Sequence, residues 1–142
     1  MEEFWKLPPK IKVLEALGAI ADGRVSVENN KARVSSSTGE KNYTVIFQPP
    51  DRIKSDDNGS VFKGYLGYPA IAFLMLKGLL PYDEQLAEKL KGIPWKELNE
   101  KYKDYRKVEF IILKQRRLDQ KRVETFEKEV LQGIKRKWKK LT

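Results

Sequence analysis

The feature that most constrains this chain is the run Gly64–Leu76, 13 residues without a charge between Lys63 and Lys77. From Ala70 to Leu76 every side chain is apolar. A helix built on such a run has no wet face, so it belongs at the centre of a fold. A bilayer span needs about 20 apolar residues, which makes this a core helix and excludes a membrane anchor here. Pro69 suits the first helical turn, where its missing N–H would be unpaired anyway. Gly78 supplies the stop, in the left-handed conformation that closes many helices.

The clearest pattern before that helix is a pair of tight turns. Arg24–Glu28 and Lys31–Ser37 flank Asn29-Asn30, two residues that accept positive φ angles. Folding there sets Glu28 opposite Lys31, Val27 opposite Ala32 and Val25 opposite Val34. A second turn around Thr38-Gly39 sets Val34 opposite Tyr43 and Ala32 opposite Val45. Both turns give one apolar face, and a one-residue slip would invert it, so the register is well specified. The spacing predicts a three-stranded antiparallel meander.

Lys10–Asp22 has helical spacing through Ile11, Leu14, Leu17 and Ala21, with Gly23 after it. Pro49-Pro50 closes the third strand, Asp51–Ser60 reads as a polar loop, and Val61–Leu66 as a short extended segment. Asp83 caps a helix to Lys91. Pro94 starts another, and from Trp95 to Gln132 there is neither Gly nor Pro. Val108–Leu113, written VEFIIL, fits strand or helix, and the missing breakers favour helix. A break near Asp119 caps a last helix whose stripe is Val123, Phe126, Val130, Ile134, Trp138 and Leu141. The fold expected is one α+β domain over 1–142, a three-stranded antiparallel meander packed on a buried central helix with further C-terminal helices.

Chemistry is bounded mainly by what is missing. The chain has no cysteine and no histidine, which removes thiol nucleophiles, histidine bases and Cys/His zinc sites. No cofactor is expected. The loop acids Asp51, Asp56 and Asp57 lack the alternating spacing of a calcium loop, so SDDNGS reads as a solvent turn and no metal site is assigned. Ser35–Lys41 superficially suggests a phosphate loop, but lacks its first glycine and the Ser or Thr after the lysine. The start MEEFWKLPPK has no apolar h-region, so no signal peptide is expected and the cytoplasm is the simplest placement. Abundant Lys and Glu, without Cys, lean towards a thermophilic source.

The net charge of +9 is unevenly placed. Residues 1–100 balance 14 Lys/Arg with 14 Asp/Glu, whereas residues 101–142 carry 15 against 6, which accounts for the whole excess. The basic helical part from about 94 to 142 therefore points to an anionic partner. Arg116, Arg117, Lys121, Arg122, Lys135, Arg136, Lys137, Lys139 and Lys140 are the candidate nucleic-acid contacts, on a basic C-terminal helix that neutralises phosphates. Cations also suit a helix C-terminus through its dipole. Arg33, Thr44, Ser26 and Ser35 on the outer sheet face are further polar surface. Tyr65, Tyr68 and Trp95, beside glycines, are candidate pocket walls, although such aromatics often simply pack on backbone.

The strand pair KARVSSSTGEKNYTVIF, followed by a linker and PAIAFLMLKGLL, resembles the ββα layout of SWIM-type modules. That resemblance covers about a third of the chain and implies binding of DNA or proteins. The Cys-x-Cys…Cys-x-His zinc ligands of those modules are missing, so no site residue carries over. The reading reached is a non-enzymatic binding protein that engages DNA or RNA. The alternative is an interaction subunit whose C-terminal amphipathic helix packs on a protein partner or on a second copy. No enzymatic constellation assembles from the sequence, and no membrane partner is expected.

Overall fold

Both turns form in the expected register. In the computed structural model, which describes residues 3–142, β1 (Val25–Glu28) pairs antiparallel with β2 (Lys31–Ser35) through Val25↔Val34 and Val27↔Ala32. Strand β3 (Asn42–Gln48) follows, with Val34↔Tyr43 and Ala32↔Val45. Ala32, Val34, Val45 and Phe47 are buried, as their shared face requires. Of the two turn asparagines only Asn29 takes a positive φ, 55°. Asn30 instead gives its carbonyl to the N–H of Phe47.

The sheet extends beyond the meander to five strands in the order β1-β2-β3-β4-β5. The polar loop expected from Asp51 contains β4 (Arg52–Ser55), antiparallel to β3, with Ile53 fully buried opposite Phe47. One buried apolar residue in RIKS is a faint signal, because a strand of this length is made by its neighbours more than by propensity. Strand β5 (Lys139–Lys140) lies parallel to β4 and closes that edge. Near it, the Trp5 indole donates to the Ile53 carbonyl at 2.9 Å, and the Trp5 N–H donates to the Trp138 carbonyl.

Helix α1 (Ile11–Ala21) and helix α2 (Tyr68–Leu76) form the centre. Pro69 to Met75 are buried, and the Phe73 ring packs 5.7 Å from that of Phe47 on β3. Leu76, at the end of the apolar run, is 43% exposed. Before α2, where an extended segment was expected, Gly59–Lys63 winds as a π-helix. Asp57 holds it in place, its Oδ1 accepting from Ser60 Oγ at 2.8 Å and its Oδ2 from Ser60 N at 3.2 Å.

The C-terminal half is more broken than the lack of Gly and Pro suggests. Helix α3 (Glu84–Lys89) is capped by Asp83, which accepts from the Leu86 N–H. The next stretch divides into α4 (Trp95–Tyr102) and α5 (Tyr105–Gln115), so VEFIIL is helical. Lys103 turns left-handed between them at φ 52°, and Asp104 caps α5 by accepting from the N–H groups of Arg106 and Lys107. That cap satisfies orphan N–H groups, which decides the break. Helix α6 (Gln120–Ile134) is capped by Asp119 as expected, but it stops at Ile134 and does not run on to Leu141. Arg136 takes φ 53°, redirecting the chain so that Trp138 is buried with its ring 6.0 Å from Phe47. Among the described residues, no helix is long and apolar enough to cross a membrane.

Candidate nucleic-acid interface

The nine cations singled out from the sequence do not share one helical face. Arg116 follows α5 and donates to the Lys91 carbonyl at 2.7 Å, and Arg117 sits in the turn at φ 53°. Lys121 and Arg122 open α6, and Arg122 pairs with Asp83 at 3.0 Å. Lys135, Arg136 and Lys137 lie exposed in the turn after α6. Lys139 and Lys140 belong to β5, paired with Asp51 at 3.2 Å and Glu3 at 2.8 Å. The basic C-terminal helix is thus a turn and a strand, and several of its charges are already neutralised within the chain. Phe126, Ile134 and Trp138 are buried, so that stripe belongs to the protein's own core.

The acids weighed as metal ligands also have structural roles. Asp51 meets Lys139, Asp56 accepts from the Thr44 N–H at 2.8 Å, and Asp57 anchors the π-helix. Among the described residues, no group of three or more Asp, Glu, His or Cys could hold a metal ion.

A second site is better built. Tyr65, Tyr68 and Trp95 all line one cleft of about 820 Å³, bounded by α1, the β2–β3 turn, the π-helix, α4 and the start of α5. Tyr43, Phe62 and Tyr105 add three more aromatic side chains. Lys12, Arg24, Lys41, Lys63, Lys96 and Lys103 face the same space, against Glu15, Asp57 and Glu100. Cations therefore outnumber acids in a cavity walled by aromatic rings.

Close backbone approach makes room for those rings. A Cβ on Gly59 would lie 2.3 Å from Cε1 of Tyr65, and one on Gly18 would lie 2.7 Å from Nε1 of Trp95. The glycine–aromatic pairings thus serve packing and cleft-lining together. Trp95 is buried, and its Nε1 has no hydrogen-bond partner. Tyr43 packs edge-on to Tyr68, their centroids 6.3 Å apart.

The cleft's floor is a buried polar cluster. Lys12 Nζ meets Glu15 Oε2 at 3.0 Å and lies 4.8 Å from the centre of the Tyr105 ring. Asn99 Nδ2 donates to the same Glu15 oxygen at 3.4 Å. Burial alone would lower the Lys12 pKa, but the Glu15 carboxylate, together with Tyr105 and Tyr65, outweighs it and holds Lys12 above the usual lysine range. Burial pushes Tyr65 up to about 12, helped by its hydrogen bond to Tyr105. Tyr68 is likewise pushed up to about 12 by burial, despite the opposing Arg24 guanidinium. These directions have a chemical consequence. Lys12 stays a fixed cation instead of a free amine, and the phenols stay protonated donors, so none of them is a base or nucleophile near neutral pH. The cluster is suited to holding a ligand.

Lys12 and Glu15 were missed in the sequence, although a signal was there. Both interrupt an otherwise apolar helix, IKVLEALGAIA, at i and i+3. Charges embedded among buried neighbours must be paired, and such a pair next to aromatic residues marks a designed polar spot.

Fold and site together define an α+β protein with a cationic, aromatic-walled cleft. The chain belongs to the family described as uncharacterised conserved protein UCP014422, whose model matches residues 5–140. No curated protein and no solved structure matches it.

Proposed function

We propose that this is a non-enzymatic nucleic-acid-binding protein whose principal contact is the cleft, with the basic turn Lys135–Lys137 as an outlying electrostatic patch. One observation carries the reading: six aromatic side chains and six cations line the same cavity. Proteins that hold single strands combine these two elements, rings for stacking bases and a positive groove for the backbone. The raised pKa of Lys12 supports binding over catalysis, because it keeps that charge in place at any ordinary pH. The resemblance to SWIM-type modules favours binding over catalysis.

The direct test is binding of labelled single-stranded and duplex oligonucleotides, RNA and DNA, at low salt. The single strands bind and the duplexes bind more weakly. If no oligonucleotide binds at low salt, the reading fails.

A further inference from the structure

The cleft separates two kinds of chemistry by depth. On its floor the side chains of Lys12 and Glu15 are 12% and 5% exposed, and the Arg24 side chain is 12% exposed. At its rim Lys41, Lys63 and Lys103 are exposed, with no ion-pair partner among the described residues. Those three lysines come from three separate segments, the β2–β3 turn, the π-helix and the end of α4. Phe62, on the π-helix beside Lys63, also lines the cleft and is 77% exposed. π-Helical turns concentrate at functional sites, and a bare phenyl face beside lysines is what a base stacks on.

A duplex cannot use this arrangement. Its phosphates lie outside and its bases are stacked within, so it meets the rim while the floor stays empty. An unpaired nucleotide matches both levels, with a planar, hydrogen-bonding base at one end and an anionic phosphate at the other. The cavity's volume of about 820 Å³ also lies in the range of small-ligand pockets, about 300–1,000 Å³.

We infer that the cleft takes a single unpaired nucleoside phosphate, base inward towards Lys12, Glu15 and Tyr65, phosphate outward on the rim lysines. A free mononucleotide and the terminal nucleotide of a strand carry the same chemistry. This rests on the nucleic-acid reading above and narrows it from a strand to one nucleotide.

The test is displacement of a labelled single-stranded RNA by AMP, adenosine and inorganic phosphate, each followed also by calorimetry without the RNA. AMP displaces the RNA, while adenosine and inorganic phosphate alone are each at least about tenfold weaker, because each meets only one level of the cleft. Phe62→Ala weakens AMP about tenfold, the loss of one stacked base. Its exposed position leaves the thermal midpoint unchanged. Comparing 5′-phosphorylated with 5′-hydroxyl RNA separates the sources: a preference for the phosphate assigns a strand end, and equal affinity assigns a free or internal nucleotide. RNA binding that AMP fails to displace at millimolar concentration overturns the inference and leaves the nucleic-acid reading standing. AMP binding without RNA binding upholds the pocket and overturns that reading.

Discussion

Glu127→Gln is expected to stabilise the protein at neutral pH, and by an amount that grows with pH. Glu127 on α6 and Glu109 on α5 are 1% and 4% exposed. Neither oxygen of Glu127 meets a hydrogen-bond donor as a carboxylate, nor does Oε1 of Glu109. Among the described residues the cation beside them is Lys10, whose Nζ lies 3.7 Å from Glu109 and whose side chain is 44% exposed, and Glu124 adds a further negative charge. Burial, then the hydrogen bond and charge of Glu109, push Glu127 up to about 9 from its ordinary 4.5. One carboxyl therefore keeps its proton and gives it to the other. Because the folded pKa is the higher one, the contribution to stability is complete below about 4.5 and is lost as pH rises towards about 9. The slope is about 1.4 kcal/mol per pH unit, or about 3 kcal/mol lost by pH 7. Glutamine supplies N–H donors to Glu109 without titrating. Urea denaturation across about pH 4.5 to 8 should show the variant gaining on the wild type at about that slope. A difference that stays constant over this range would refute the shared proton.

Phe73→Ala should cost about 3–5 kcal/mol in chemical denaturation, since the ring is fully buried against Phe47. A loss under about 1 kcal/mol, as at surface sites, would show that α2 is not the packing centre. Gly59→Ala should displace the Tyr65 ring, whose Cε1 is 2.3 Å from the added methyl carbon. The expected cost is about 1–3 kcal/mol with weakened oligonucleotide binding, and unchanged binding would separate Tyr65 from the site.

Much of the sheet was legible because two independent turns demanded the same apolar face. The caps at Asp83 and Asp119 were legible for a similar reason: a short acid ahead of helical spacing names a helix start. Asp104 carries the same signal but sits in a stretch without breakers, which by itself favours one continuous helix. Strand β4 and the tail were hidden by a different cause. Ile53 faces Phe47 on the preceding strand but is also covered by Trp5 and β5, and Trp138 packs on Phe47, contacts that are distant in sequence and that no local pattern encodes. The basic tail illustrates the limit for the site as well. Charge counts located the excess, but not Asp51, Asp83 and Glu3, which neutralise part of it. The cleft was visible only as three aromatics near glycines, because its floor comes from α1, some fifty residues before Tyr65.

The central claim is that phosphates are met at the cleft rim more than at the basic turn. Its most direct test is the salt dependence of single-strand binding for three proteins: wild type, a Lys41→Gln/Lys63→Gln/Lys103→Gln variant, and a Lys135→Gln/Arg136→Gln/Lys137→Gln variant. Each phosphate contact on a single strand contributes about 0.7 to the slope of log K against log salt. Removing the three rim lysines, which meet one phosphate, should flatten the slope by about 0.7 and weaken binding at every salt concentration, while changing the turn should alter it by clearly less. The opposite ranking, with the turn variant losing the slope and the rim variant keeping it, would contradict the account.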